Sequence, residues 1–199
     1  YVEYSGSHAS YTVAPRLADI AERLADAGCR APPLRRLLAA LRAETGDHVC
    51  VWVRSGINVR IAALLVGEVR GPTSNAPGEI ATPFSTPGLV ICSQDTREQV
   101  RALLAQCRRR HVALGRRFSG IAEIERTLRD IRARGHAVAY NMRADGWGML
   151  AWPIPVTTSP LRMGALTIGA PVATLRREEP RLLALAQRLI ASYLREQSA

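Results

Sequence analysis

Lysine is absent from this sequence of 199 residues, so all 27 basic residues are arginines. They outnumber the 17 acidic residues and give a formal net charge of +10. A basic surface of this kind can bind nucleic acid. The arginines are, however, spread over predicted helix faces, with local clusters at residues 108–110 and 116–117. Aromatic residues make up only 5%, too few for a platform on which bases stack. We therefore favour solvated helix faces over the alternative, an arginine-rich nucleic-acid module.

The sequence also lacks the apolar run of about 20 residues that a membrane-spanning helix needs. Its start does not have the charged-then-apolar pattern of a signal peptide. We therefore expect a soluble cytoplasmic protein that makes no contact with a membrane. The hydrophobic content of 47% is sufficient for one substantial core.

Cysteine is scarce, and the four cysteines are widely spaced at Cys29, Cys50, Cys92 and Cys107. No C-x-x-C motif and no nearby pair of histidines completes a zinc site. We predict buried free thiols and no metal site, with a redox-sensing cysteine as the alternative.

Recognisable catalytic motifs are missing as well. There is no G-x-S-x-G, P-loop or dinucleotide-binding pattern, and the G-x-G of "DGWGMLAW" precedes a strand and lacks the third glycine. The carboxylate pairs 123/125 and 178/179 lie on predicted helices, where solvent exposure explains them. We therefore predict no catalytic residue, no cofactor and no enzymatic activity.

Apolar residues at helical spacing predict several amphipathic helices. The helix starts are predicted from prolines in a first turn or from capping residues, and the helix ends from glycines. The predicted helices cover residues 15–27, a segment from Pro32 to Thr45, residues 87–93, a segment capped by Thr96, a segment between Ser119 and Gly135, and a closing helix whose first turn holds Glu178, Glu179 and Pro180.

Strand patterns fall into adjacent pairs. Residues 48–54 and 59–66 predict an antiparallel hairpin at the sheet centre, buried on both faces, with "SGIN" as its turn. Further strands are predicted at 136–140, 147–156 and 161–169, the last two joined by "TTSP". Adjacent strands with helices clustered between them indicate an α+β domain, an antiparallel sheet with helices packed on it. Residues 67–88, with four glycines and four prolines, predict a long loop that covers a pocket.

Alternation along two predicted strands places residues of interest on one face. Trp147, Met149 and Ala151 share a face of one strand, and Met163, Ala165, Thr167 and Gly169 share a face of the next. Small residues beside Trp and Met leave room for a ligand cavity. A helix packed from above would fill the same space, and spacing does not distinguish the two.

The first residues, "YVEYSGSHASYTVAPRL", predict a β-hairpin followed by a helix. Two strands alone are marginally stable in water, so this hairpin is expected to belong to a larger unit.

Several segments, in this order, resemble IclR-type bacterial transcriptional regulators. The opening segment is similar to the end of their winged helix-turn-helix domain and the linker helix. "PLRRLLAALRAETGDHVCVWV" is similar to the first helix and strand of their effector domain. "SGIAEIERTLRDIRARGHAVAYNMRADGWGMLAWPIPV" and "LRMGALTIGAPVATL" resemble the later helix and strands of that domain.

The resemblance implies a domain organisation. Residues 1–14 would be the remnant of the wing, 15–28 the linker helix, and 29–199 a GAF-like effector-binding and oligomerisation domain. Operator DNA would be bound only through an N-terminal domain that is missing from this chain. The chain itself would form a homodimer or tetramer and bind DNA weakly or not at all.

The resemblance also implies a site for a small-molecule effector between the loop-helix segment and the sheet. The corresponding residues are Leu65, Val66, Thr86, Pro87, Ala139, Tyr140, Trp147, Met149, Thr167 and Gly169.

Polar positions of the family's site are replaced here by Ala139, Tyr140, Met149 and Gly169. Few donors are left to hold a carboxylate, and an unpaired buried charge is costly. We therefore expect an effector larger and more apolar than a keto acid, aromatic or alicyclic, with Trp147 stacking and Tyr140 or Thr167 donating one hydrogen bond.

Two further alternatives follow from the same domain type. A GAF-like sensor or enzyme with a working cysteine predicts an exposed Cys92 or Cys107 with a lowered pKa. A ligand-free oligomerisation platform predicts no rise in melting temperature with any compound.

Overall fold

The computed structural model describes residues 2–5, 10–13, 31–68, 80–112, 118, 120–141, 145–156 and 163–198. Strands β1 (Val2–Ser5) and β2 (Ser10–Val13) pair antiparallel, which confirms the predicted hairpin. Its assignment as a wing stays a prediction. The predicted linker helix, residues 15–28, lies outside the described residues.

Helix α1 (Pro32–Thr45) begins and ends as its sequence predicts. Two prolines occupy its first turn, where a missing N–H costs nothing. It ends at Gly46, whose φ of 69° is the left-handed conformation that glycine adopts without a steric penalty. Its four buried leucines form the apolar stripe: Leu34, Leu37, Leu38 and Leu41.

A six-stranded sheet forms the centre of the described fold. It consists of β3 (His48–Ser55), β4 (Asn58–Leu65), β5 (Ile80–Ala81), β6 (Ala137–Tyr140), β7 (Trp147–Pro155) and β8 (Met163–Pro171). The strand order is β5-β4-β3-β8-β7-β6, and every neighbouring pair is antiparallel. The predicted β3–β4 and β7–β8 pairs are confirmed, and β3 and β8 are the two central strands.

Three helices follow β5 along the chain. Helix α2 (Thr86–Cys92) is capped by the Ser85 side chain, which accepts a hydrogen bond from the Gly88 N–H. Helix α3 (Arg97–Arg109) begins at a capping box made by Thr96 and Gln99. Helix α4 (Ile121–Arg134) ends at Gly135 in the left-handed conformation, as predicted.

The last helix, α5 (Val172–Ser198), starts earlier than predicted. Pro180 lies inside it instead of in its first turn. Leu175 explains the difference, because its side chain is fully buried and reaches the backbone of Gly148 on β7. Burial of this turn against the sheet offsets the hydrogen bond that the proline cannot make.

The loop predicted over residues 67–88 is also shorter than expected. Ile80 and Ala81 form the edge strand β5, and α2 begins at Thr86. Residues 69–79 lie outside the described residues, so the predicted cover over a pocket stays a prediction.

The two faces of the sheet carry separate cores. We call the face that carries Val51, Leu150 and Leu166 the α5 face, because these side chains pack with α1 and α5. We call the face that carries Cys50 and Ala151 the α2 face, because it packs with α2, α3 and α4. The fold is therefore α+β, an antiparallel sheet with helices packed on it, as the sequence predicts.

Candidate functional site

The candidate site lies on the α2 face, near the ends of four neighbouring strands. Gly169 on β8 is the Cα partner of both His48 on β3 and Met149 on β7, and Met149 is in turn the partner of Ala139 on β6. Directly opposed residues project to the same side of a sheet. The structure therefore brings Ala139, Met149 and Gly169 together, as the resemblance implies. We call these three residues and His48 the effector row.

Trp147 lies beside the effector row, on the same face of β7 as Met149 and two residues from it. Its indole ring meets the His48 ring edge to face, with 5.6 Å between the centroids and 62° between the planes. A Cβ added to Gly169 would lie 3.2 Å from the indole nitrogen, tighter than an ordinary contact. Gly169 therefore leaves the space that the Trp147 ring occupies.

Sequence reasoning missed His48. Its Nδ1 accepts a hydrogen bond from the Gly67 N–H at 3.3 Å, and the residue is buried. The sequence feature that could have pointed to His48 is its position at the start of a predicted strand. Its pairing with Gly169 depends on the β3–β8 register, which joins segments about 120 residues apart and has no local signature.

Thr167 also lies on the α2 face, one row deeper, and is 1% exposed. Its Oγ1 accepts from the Trp52 indole N–H at 3.2 Å and donates to the Cys50 carbonyl at 3.5 Å. The only proton of this hydroxyl is thus engaged within the protein. Thr167 therefore joins two groups of the core and has no free proton to donate to a ligand.

Thr86 and Pro87 form the first turn of α2, which packs across β8, β7 and β6. Every residue of this helix is buried. Gly88 lets the segment that precedes α2 lie close to this helix, because an added Cβ would lie 2.5 Å from the carbonyl oxygen of Pro83. The Thr86 hydroxyl has no hydrogen-bonding partner within the described part of the chain, although the residue is only 5% exposed.

The structure does not bring Leu65 and Tyr140 to the effector row. Leu65 pairs with Val49 and packs with the core of the α5 face. The Tyr140 hydroxyl donates to the Glu179 carboxylate of α5, and the Arg176 guanidinium lies 5.2 Å from the Tyr140 ring centroid. Consecutive strand residues point to opposite faces, so Tyr140 and Ala139 cannot line one cavity from within a strand. Val66 follows β4 and is 56% exposed.

Trp147 and Met149 are only partly buried, whereas Ala139, Thr167 and Gly169 are buried. The partly accessible residues at and beside the effector row are therefore a tryptophan and a methionine. Such a surface favours an apolar ligand over a small charged one.

The described cysteines do not have the properties of reactive thiols. Cys50, Cys92 and Cys107 are free and buried. Burial raises the pKa of the Cys92 thiol to about 11, although the nearby Arg54 opposes the shift, and burial also raises the pKa of Cys107. The prediction of buried free thiols is confirmed for these three, while Cys29 lies outside the described residues. A thiolate nucleophile requires the opposite shift.

No group of three or more potential metal ligands occurs among the described residues. Within the same residues, no helix combines the length and the apolar character needed to cross a membrane.

Comparison with solved structures identifies relatives in fold. No protein-family model matches the sequence, and no curated protein matches it. The effector domain of the putative transcriptional regulator IclR from Acinetobacter superposes with a TM-score of 0.65 at 17% identity, covering 81% of this chain and 93% of that domain.

Two longer regulators align over the whole of this chain. IclR of Thermotoga maritima has a TM-score of 0.72 at 16% identity, with 80% of that chain covered. A putative transcriptional regulator of Rhodococcus has a TM-score of 0.75 at 16% identity, with 79% of that chain covered. The chain therefore has the fold of the effector domains of IclR-type transcriptional regulators.

Proposed function

We propose that this chain is the effector-binding part of a ligand-responsive transcriptional regulator that acts in the cytoplasm. One observation supports the proposal: Ala139, Met149, Gly169 and Trp147 lie together on the face of the sheet against which α2 packs, and Trp147 and Met149 are partly accessible. The fold shared with IclR-type effector domains supports the regulatory part of the proposal.

The proposed effector is an aromatic or alicyclic acid. Its ring stacks on the Trp147 indole and covers the Met149 side chain. Thr86 supplies one hydrogen bond from the roof of the site, in place of Tyr140 and Thr167, whose hydroxyl protons are used elsewhere. Pro87 and the segment 67–68 complete the walls, with Val66 at the margin. Leu65 and Tyr140 are left out of the proposed site.

The proposed mechanism is a shift between two arrangements of the domain. An effector that binds between α2 and the sheet favours the closed arrangement and changes the packing of the linker helix, residues 15–28. In a homodimer or tetramer this changes the spacing of the DNA-reading domains, which would precede residue 1. The effector must bind the two arrangements with different affinity for any switching to occur.

Isothermal titration calorimetry tests the ligand class. Benzoate and cyclohexanecarboxylate are expected to bind saturably, whereas glyoxylate and pyruvate bind at least about tenfold more weakly because they leave Trp147 and Met149 uncovered. Trp147→Ala is expected to weaken benzoate binding by about tenfold or more. Met149→Ala is a second variant if the first does not fold.

Tyr140→Phe is the matched control, because this aromatic residue lies on the α5 face and should leave benzoate affinity unchanged. Tight binding of short keto acids with no binding of ring-bearing acids would contradict the proposed ligand class. If no acid binds at all, the oligomerisation platform replaces the effector role. The enzyme and cysteine-sensor alternatives are disfavoured by the buried thiols with raised pKa values.

A further inference from the structure

Much of the positive charge lies on the helical layer formed by α3 and α4. The described residues between 95 and 134 include nine arginines and five acidic residues. Many of these arginines are exposed. The effector site uses none of them, so this surface needs a separate explanation.

A cleft of about 290 Å³ lies between the first turn of α3 and residues 125–132 of α4. This volume is close to the lower end of the range of about 300 to 1,000 Å³ that small-molecule sites occupy. The lining residues are Arg97, Val100, Glu125, Leu128, Arg129 and Arg132.

Arg132 is held in a fixed position within this cleft. Its Nε donates to the Ser93 carbonyl at 2.5 Å, and its Nη2 donates to the Asp95 carbonyl at 2.9 Å. A guanidinium has five N–H groups, so three donors are left after these two bonds. Two bonds to backbone carbonyls reduce the entropy that the side chain would lose on binding a ligand.

The other two arginines of the cleft are exposed, and Glu98 lies close enough to attract Arg97. Neither Arg97 nor Arg129 forms an ion pair with any described residue. Val100 and Leu128 are buried and close the floor of the cleft. Three guanidinium groups therefore border one concave surface that contains a single acid, Glu125.

We propose that this cleft binds a small hydroxylated phosphomonoester. The three arginines and one glutamate give the lining a net charge of +2, which complements the charge of a phosphomonoester near neutral pH. Guanidinium groups bind phosphate oxygens through paired N–H donors. The Glu125 carboxylate only accepts hydrogen bonds, so it selects a ligand that also carries hydroxyl groups. The N-terminus of α3 adds a partial positive charge at Arg97.

This site shares no residue with the effector row, so it goes beyond the proposed function and does not depend on it. Isothermal titration of the 199-residue chain with glycerol 3-phosphate, at pH 7.5 and constant ionic strength, is the test. Saturable binding is expected, and Arg129→Gln is expected to weaken it by about tenfold or more, because a charge-assisted hydrogen bond is lost. Arg97→Gln is expected to act in the same way.

Arg101→Gln is the matched control, because Arg101 is exposed on α3 but does not line the cleft. It should leave the affinity within about twofold, because Arg101 donates no hydrogen bond within the cleft and salt screens its exposed charge. Trp147→Ala should also leave it unchanged, which separates this site from the effector site. Lowering the pH from 7.5 to 5 should weaken binding, because the phosphate takes up its second proton with a pKa of about 6.

Three results would overturn the proposal. The first is the absence of saturable heat, and the second is an equal loss of affinity in Arg101→Gln, which indicates general attraction to a basic surface. The third is equally tight binding of succinate, which shows that the cleft does not select phosphate.

Discussion

Thr86 and Thr167 illustrate at the scale of single residues how two similar hydroxyls acquire different roles. Both are buried, Thr86 in α2 and Thr167 on the α2 face of the sheet. The Thr167 hydroxyl joins the Trp52 indole to the Cys50 carbonyl, whereas the Thr86 hydroxyl has no such partner within the described residues. A buried donor without an acceptor lowers the stability of the fold, because it gives up its hydrogen bonds to water and forms none within the protein.

Thr167→Val is expected to lower the free energy of unfolding by about 1 to 3 kcal/mol, because the Trp52 N–H is left without an acceptor. It should change benzoate affinity little. Thr86→Val is expected to do the opposite: nearly unchanged stability and an affinity for benzoate about three- to tenfold lower, since one ligand hydrogen bond is lost. Chemical denaturation and calorimetry on both variants measure the two effects. A loss of benzoate affinity in Thr167→Val alone would reverse the two roles.

Alternation along a strand was the part of the site that the sequence could predict. It correctly placed Met149 on the same face of β7 as Ala151, and Thr167 on the same face of β8 as Gly169. The resemblance named consecutive residues, 65/66 and 139/140, and only one member of a consecutive strand pair can face a given side. Tyr140 shows the consequence, because its hydroxyl and ring contact α5 instead.

At the scale of elements, the junction between α1 and β3 places a buried acid close to α5. Asp47 is buried there, and its carboxyl pKa is raised from 3.8 to about 6. Burial is the largest cause, followed by the negative charge of Glu178 on α5, while His48 and Arg181 oppose the shift. Arg181 also donates to Glu178 and to the Glu44 carbonyl at the end of α1.

A raised pKa means that the folded state binds the Asp47 proton more tightly than the unfolded state does. The resulting stability is present below pH 3.8 and is lost as the pH rises through about 6. Near neutral pH the ionised carboxylate therefore destabilises the fold by about 1 to 3 kcal/mol.

Asp47→Asn is accordingly expected to raise the free energy of unfolding at pH 7.5 by about 1 to 3 kcal/mol. The gain should shrink as the pH falls towards 4.5, because wild-type Asp47 is then protonated in the folded state. Urea denaturation of both proteins across this pH range measures the difference in their free energies of unfolding. Glu44→Gln is the control, since Glu44 is an exposed acid on the same junction and should show no such gain. Lower stability of Asp47→Asn at pH 7.5 would mean that attraction to Arg181 outweighs the effect of burial.

Helix boundaries were predicted correctly where capping residues set them. The prediction was wrong where packing against a distant strand sets the boundary. Gly46, Thr96 and Gly135 end or begin helices as their sequence indicates. Pro180 predicted a start, but Leu175 extends α5 by several residues towards the N-terminus through contact with β7. Contacts between distant segments have no local pattern, so the sequence could not reveal this extension.

At the scale of the whole molecule, the sheet separates two helical layers. Helices α1 and α5 pack on one face, and α2, α3 and α4 pack on the other. The sequence predicted the helices, the hairpins and the antiparallel class. It did not give the central β3–β8 pairing, because that pairing joins strands separated by most of the chain. The effector row depends on this pairing, so its membership became clear only in three dimensions.

The central claim is that a ring-bearing acid binds between α2 and the effector row. The most direct test is a crystal structure of the chain grown with benzoate or cyclohexanecarboxylate. Our account predicts ligand density against the Trp147 ring, with one ligand oxygen within hydrogen-bonding distance of the Thr86 hydroxyl. Side chains that fill this space completely, or ligand density only elsewhere on the protein, would contradict it.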